Sequence, residues 1–356
     1  MFLPASHAAE WRGRRRGGVV WETFENLNGS FSLKAVLCKE LGPPDKLVVE
    51  QVPSLRPGKG QVVVSVKAAG VNFPDTLIIQ GKYQFKPEPP FSPGGEVAGV
   101  IKEVGEGVSR VKPGDRVIAA GTYGGFAEEF VAEADKVVPM PAGMDFIPAS
   151  AFILTYGTSY HALKDRANLK PAETLLVLGA SGGVGLAAIQ LGKVMGAKVI
   201  AAASSDAKLQ VCRDNGADEL INYASEDLRA RVKAITAGRG VDVVYDPVGG
   251  PYSEPALRDM AWNGRFLVVG FAAGDIPKVP LNLALLKGCS IVGVFWGAFT
   301  RTEPDNNRRN NEELLQLYTA GKVKPHIHAT YPLERAAEAL NEVLYKRVSG
   351  KVVLTT

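Results

Sequence analysis

Cysteine is scarce in this chain. Its three residues, Cys38, Cys212 and Cys289, stand far apart and form no Cys-x-x-Cys pattern. That spacing argues against a disulfide framework and against a cysteine-built zinc site, and it fits a reducing cytoplasm. Long apolar runs are missing as well. No uninterrupted stretch approaches the ~20 residues that a membrane span needs, so no membrane partner is expected. A large charge of either sign is also absent, since 41 basic and 37 acidic residues leave a formal net charge of +4. Much of that excess lies in Arg12, Arg14, Arg15 and Arg16, so the folded body carries no electrostatic footprint for nucleic acid. No internal repeat or low-complexity tract breaks the pattern.

What the chain does have is length and glycine. Its 356 residues are too many for one ordinary core, and two domains are expected. The 39 glycines cluster, as tight turns or a phosphate loop require. Residues 1–30 read as a disordered leader or a start codon placed too early. Arg14-Arg15-Arg16 resembles a targeting signal, but Glu22 and Glu25 follow it and no apolar segment does.

From Leu33 to about Pro148 short β-branched runs alternate with glycine and proline. Examples are Gln61 to Lys67, Glu96 to Ile101, Asp115 to Ala119 and Glu129 to Val131, which predict a compact β-rich body. Near residue 150 the texture changes. Strands are predicted at Thr174–Leu178, Lys198–Ala202, Glu219–Ile221, Val241–Tyr245, Gly264–Val269 and Ser290–Phe295. Helical periodicity lies between them, at Val184–Met195, Asp206–Asn215 and Ser225–Thr236. Alternating strands and helices predict a doubly wound parallel sheet of the Rossmann type. A polar stretch, Thr300–Asn311, precedes predicted helices at Glu312–Ala320 and Leu333–Tyr345, and a last strand, Lys351–Leu354, returns to the β-rich domain.

The most informative motif is Gly179-Ala180-Ser181-Gly182-Gly183-Val184-Gly185, set between a buried strand and a helix. Glycines there let the pyrophosphate of a dinucleotide approach the first helical N–H groups, where the helix dipole favours negative charge. Ser181, Gly182, Gly183 and Val184 are the expected phosphate contacts. The tip of the second strand, Ala203-Ser204-Ser205, has no carboxylate of its own to grip a ribose 2′-hydroxyl. Ser204, Ser205 and Lys208 instead offer hydroxyls and a cation suited to a 2′-phosphate, so NADPH is the expected cofactor. Asp206 complicates this reading, although an acid is favoured in a first helical turn on its own account. Tyr223 is placed to cover the adenine or reach the same phosphate.

At this point the sequence resembles the medium-chain dehydrogenase/reductase superfamily, and within it the zinc-free quinone oxidoreductases of the zeta-crystallin type. The resemblance runs from about Leu33 to Leu354. It is carried by Ala69 to Asp75, Pro93 to Gly99, Val111 to Val117, Leu154 to Tyr160, the glycine motif, Tyr245 to Gly250 and Gly350 to Leu354. It implies a GroES-like catalytic domain from residues 31–153 and 293–356, a Rossmann domain over 154–292, and a substrate cleft between them. Zinc-dependent members carry Cys where Asn72 stands and His where Gly95 stands, and they insert a four-cysteine lobe where this chain has only residues 120–125. The expectation is therefore no metal.

By the same resemblance Asn72 lies near the nicotinamide ribose or the substrate, and Tyr83 lines the cleft. These two are the candidate catalytic residues, although Asn72 could instead fix a turn and Tyr83 could simply pack. Thr158, Gly270, Phe271, Phe295, Trp296, Gly297 and Lys351 match cofactor-side positions. Asp75 and His161 read as structural. Leu77 stands where some quinone-reducing relatives have a second tyrosine, which leaves enones and enoyl thioesters open beside quinones.

The expected activity is hydride transfer from NADPH to a quinone or an α,β-unsaturated carbonyl, the small-molecule electron acceptor. An acyl-CoA reductase of the same family and a non-catalytic NADPH-binding protein are the alternatives. Relatives dimerise along their last Rossmann strand, so Ser290–Phe295 is the expected homodimer edge.

Overall fold

The computed structural model describes residues 32–356. The segment read as a leader, 1–30, lies outside them. Fifteen strands run in chain order: β1 (Ser32–Leu37), β2 (Val48–Pro53), β3 (Gln61–Val71), β4 (Glu96–Val104), β5 (Arg116–Ala120), β6 (Glu129–Glu133), β7 (Val137–Pro139), β8 (Thr174–Leu178), β9 (Lys198–Ala203), β10 (Glu219–Asn222), β11 (Val241–Asp246), β12 (Met260–Val268), β13 (Ser290–Gly293), β14 (Ile327–Pro332) and β15 (Lys351–Thr355). The α-helices are α1 (Phe73–Ile78), α2 (Phe146–Ala149), α3 (Ile153–Tyr160), α4 (Gly183–Val194), α5 (Asp206–Asp214), α6 (Leu228–Ile235), α7 (Ser253–Arg258), α8 (Asn282–Lys287), α9 (Trp296–Thr302), α10 (Pro304–Thr319) and α11 (Ala336–Leu344).

The Rossmann sheet has the order β10-β9-β8-β11-β12-β13, with every pair parallel. Every residue of β8 is buried, which is why it reads as a continuous apolar run rather than an alternating one. Its side chains still alternate between faces. Leu175 and Val177 join the cluster under α3 and α4, and Leu176 and Leu178 join Ile200, Ile221 and Val232 on the opposite face. After β8 the chain winds outward through β9 and β10, then returns to the other side of β8 at β11. The strand order reverses there, and the crevice beyond the carboxyl ends of such strands is where open α/β sheets bind ligands.

The GroES-like domain carries a sheet of order β14-β15-β3-β4-β5-β7, with β6 also paired to β3. It is built from both ends of the chain, because β15 lies between β14 and β3. Among the described residues no helix is long and apolar enough to cross a membrane.

Three local features differ from the sequence expectation. The polar stretch Thr300–Asn311 is helical, forming the end of α9 and the first half of α10. Its polarity hides a packed face, since Asn310 and Asn311 are buried and Asn310 donates to Asp165 Oδ2 at 2.8 Å. Strand β12 starts at Met260 rather than Gly264, and the β11–β12 register shifts between Val241 and Val243. Strand β13 ends at Gly293, two residues short of Phe295.

Candidate active site

The glycine motif turns directly out of β8 into α4. Gly182 is the N-cap of α4, with extended backbone, and it has no side chain to satisfy the first helical N–H groups. Those donors face the crevice, where an anion is favoured. Gly185 permits the close return of the chain, since a Cβ there would stand 2.6 Å from both the Gly179 and Ala180 carbonyl oxygens. Ser181 is buried and its carbonyl accepts from Gly350 N at 2.7 Å, which joins the loop to the GroES-like domain. The Val184 carbonyl accepts from Ser159 Oγ at 2.9 Å and is used internally.

At the tip of β9, Ser204 is exposed and Ser205 caps α5, accepting from Lys208 N. The Lys208 ammonium reaches back over that turn. It donates to the Lys346 carbonyl at 2.8 Å and lies 3.4 Å from Ser204 Oγ. Burial, and the neighbouring Lys346 charge, hold its pKa below the ordinary lysine value. Asp206, the complicating acid, accepts from Asn222 Nδ2 at 2.7 Å and is held beside β10. Tyr223 packs against Tyr252 with ring centroids 4.3 Å apart and ring planes tilted by 40°.

Of the residues expected at the nicotinamide end, Thr158 and Trp296 lie at α3, while Gly270 and Phe271 lie at the end of β11. Thr158 donates its hydroxyl to the Leu154 carbonyl at 2.6 Å within that helix. The Trp296 indole lies flat on Gly157, whose added Cβ would meet three indole atoms at 3.0 Å. Its Nε1 is buried with no hydrogen-bond partner among the described residues. Phe295, exposed, is the N-cap of α9, and Gly297 lies in its first turn. Gly270 donates its N–H to the Asp246 carbonyl at 3.2 Å, and Phe271 covers Gly249 at the end of β11.

Asn72, Asp75 and Lys351 meet in the sheet of the GroES-like domain. Asn72 caps α1: its N–H donates to Asp75 Oδ2 at 2.8 Å and its Nδ2 to the Gly70 carbonyl at 3.2 Å. Asn72 Oδ1 accepts from the buried Lys351 ammonium, which also donates to the Val71 carbonyl at 3.0 Å. Glu96 Oε2 lies 3.9 Å from that ammonium, and Glu96 Oε1 accepts from Leu154 N at 2.8 Å.

Burial pushes the Asp75 carboxyl up to about 7, although the Asn72 N–H and the Lys351 charge pull it down. Glu96 is raised by burial against the same lysine, and Lys351 is lowered by burial against both carboxylates. Tyr83 is half-buried. Its phenol is raised by burial and by Asp75, while Arg301 on α9 draws it down. Tyr83 packs against the core of the GroES-like domain. His161 is buried, bonded through Nδ1 to Asp165 Oδ2 at 2.8 Å and stacked on Phe299, away from this group.

Three residues of this arrangement were not singled out in the sequence: Glu96, Arg301 and Lys346. Glu96 left a usable signal, a lone carboxylate opening an apolar strand. Arg301 and Lys346 left none, because their partners lie 218 and 138 positions away, at Tyr83 and Lys208.

Two family models match the chain: the alcohol dehydrogenase GroES-like domain over residues 58–142 and the zinc-binding dehydrogenase domain over 183–314. A quinone oxidoreductase-like protein 2 homolog from Nematostella vectensis is 41% identical over 361 residues, covering 100% of this chain and 97% of its own. The crystal structure of a probable oxidoreductase from Mycobacterium abscessus is also 41% identical, with a TM-score of 0.85, and covers 92% of this chain and 100% of its own. Escherichia coli quinone oxidoreductase, solved in complex with NADPH, is 32% identical with a TM-score of 0.86, and covers 91% of this chain and 100% of its own. The chain binds a nicotinamide cofactor of this class in its Rossmann domain, and it belongs to the quinone oxidoreductase-like family of the medium-chain dehydrogenase/reductase superfamily.

Proposed function

We propose that this chain is a zinc-independent reductase that transfers hydride from NADPH to a quinone or an α,β-unsaturated carbonyl. The observation that carries the proposal is the tip of β9. There the Lys208 ammonium, Ser204 and the Lys346 charge converge while the one nearby carboxylate, Asp206, is held by Asn222. This is a site that favours a ribose 2′-phosphate over a 2′-hydroxyl. Bound NADPH would supply the hydride. The N–H groups at the start of α4 would hold the pyrophosphate, and Phe271 and Trp296 would flank the nicotinamide and exclude water.

The residues at the zinc relatives' ligand positions do not fit a metal. Asn72 Oδ1 is taken by the Lys351 ammonium, and Gly95 has no side chain, with the Gly121 carbonyl oxygen 3.2 Å from where its Cβ would be. Alcohol oxidation would leave an alkoxide without a Lewis acid. An acceptor that is already polarised needs orientation and a proton, which water can supply. Free thiols at Cys38, Cys212 and Cys289 fit a reducing cytoplasm as its place of work.

Arg301 favours a second reading, an acyl-thioester reductase. It is exposed and pairs with no carboxylate among the described residues, so it could take the phosphate-bearing arm of an acyl-CoA.

The test is oxidation of NADPH against a panel of quinones, enones and enoyl-CoA esters, with zinc measured in the purified protein. Turnover of one class with NADPH well above NADH is the expected result. Equal rates with NADH would remove the 2′-phosphate reading, and one zinc per chain would remove the metal-free one.

Subunit association belongs to the same proposal. Strand β13 ends the Rossmann sheet with no further strand paired to it among the described residues, and Trp262, Leu281, Leu285 and Ile291 are exposed around it. A second copy of the chain, paired edge to edge, would cover both the strand and the apolar patch.

A further inference from the structure

Lys351 is the feature that the proposed function leaves unexplained. It matches a cofactor-side position, yet its charge points away from the glycine loop. Only its stem faces that loop: a Cβ on Gly183 would lie 2.8 Å from Lys351 Cδ, so the methylenes rest on the first residue of α4. The ammonium continues past the loop into the GroES-like domain and ends on the Val71 carbonyl and Asn72 Oδ1. The side chain is only 5% exposed, and Glu96, its sole counter-charge within 4 Å among the described residues, is fully buried.

Burying an ammonium is costly, and a methionine of similar length would cover Gly183 without that cost. The cation therefore needs a reason, and its contacts supply one. The side-chain amide of Asn72 can present either its oxygen or its nitrogen to a neighbour, and the choice follows the hydrogen bonds around it. An ammonium on Oδ1 and a carbonyl on Nδ2 leave one orientation. Glu96 Oε2 has no hydrogen bond of its own among the described residues and answers the charge.

We infer that Lys351 is a positioning residue, the resident cation of this centre, whose ammonium locks Asn72 while its stem seats the first turn of α4 beneath the dinucleotide. It thereby ties the cofactor loop to the residue that stands at the lost zinc-ligand position. Glu96 is the counter-ion that makes the buried cation tolerable. The inference rests on the reading that NADPH binds at this loop.

The test is NADPH affinity, measured by the fluorescence of the bound cofactor, together with Tm. Wild-type protein is titrated first, and failure to bind NADPH would overturn the functional proposal and this inference together. Lys351→Met strands the Glu96 charge and is expected to lower Tm. Lys351→Met with Glu96→Gln removes both charges and is expected to recover Tm to within a few degrees. The inference expects that double variant to bind NADPH at least ten-fold more weakly than wild type, and Lys351→Arg to stay within three-fold. In an Asn72→Ala background the same pair of substitutions should change the affinity less than two-fold. A double variant that binds NADPH as tightly as wild type would overturn this inference alone, because the pair would then serve only folding. An undiminished effect in the Asn72→Ala background would equally overturn it, by showing that the ammonium does not act through Asn72.

Discussion

Lys208 is the side chain on which the proposed preference for NADPH rests. Its ammonium donates to a backbone carbonyl at 2.8 Å and pairs with no carboxylate among the described residues, so its charge is available to a phosphate. A hydrogen bond to a charged group contributes about 1.5–3 kcal/mol. Lys208→Ala should therefore raise the Kd for NADPH by roughly 10- to 100-fold and leave that for NADH within about two-fold. Fluorescence titration at one fixed ionic strength would check this, and parallel losses for both cofactors would refute it. At the same scale, Glu173 grips Arg265 through two oxygens at 2.7 and 2.8 Å. Burial raises the Glu173 carboxyl, but the Arg265 fork and the Lys170 N–H outweigh it and hold the group below its ordinary 4.5. Stability from this pair is thus complete above that value and is lost as pH falls through the depressed one. Glu173→Gln should cost about 1–2 kcal/mol at pH 7 and flatten the acid limb of the stability curve below about pH 4.5, as read by urea unfolding across pH.

Among the elements, the β8–α4 turn has the least tolerance. A methyl group at Gly185 would lie 2.6 Å from two backbone oxygens that cannot move without displacing the loop. Gly185→Ala should lower stability by about 1–3 kcal/mol and weaken binding of NADH and NADPH alike, which separates it from Lys208→Ala. This turn was legible in the sequence because its determinants are local: a buried strand, glycines in series and a helix. The six parallel strands were legible for the same reason, through their apolar runs. What could not be read depended on distant partners. The segment Thr300–Asn311 read only as a polar stretch because its buried face is made of asparagine, and the partners of Asn310, Asp165 and Lys164, lie on a different part of the chain. The start of β12 was missed because Met260 pairs across a register shift that no local pattern encodes. The orientation of Asn72 was equally hidden, since it is set by a lysine 279 positions away.

At the scale of the whole molecule, the Rossmann sheet ends at β13, which pairs with no further strand among the described residues. Ile291 and Leu285 are exposed at β13 and α8, so a Leu285→Glu, Ile291→Lys variant removes apolar area without entering either core. Light scattering should find a dimer for the wild type and a monomer for the variant, with unchanged far-ultraviolet circular dichroism. A wild-type monomer would sink the edge-to-edge proposal. The GroES-like sheet has a different consequence, which concerns time. Strand β15 is the last element of the chain, yet it lies between β14 and β3 and carries Lys351. During synthesis the Rossmann strands leave the ribosome complete, while the neighbouring domain waits with a gap in its middle. Strand β15 closes that gap and, in the same step, brings the lysine onto the glycine loop. A nascent chain thus gains its cleft only once β15 has emerged, and a chain cut just before Lys351 would keep an intact nucleotide fold and have no working centre.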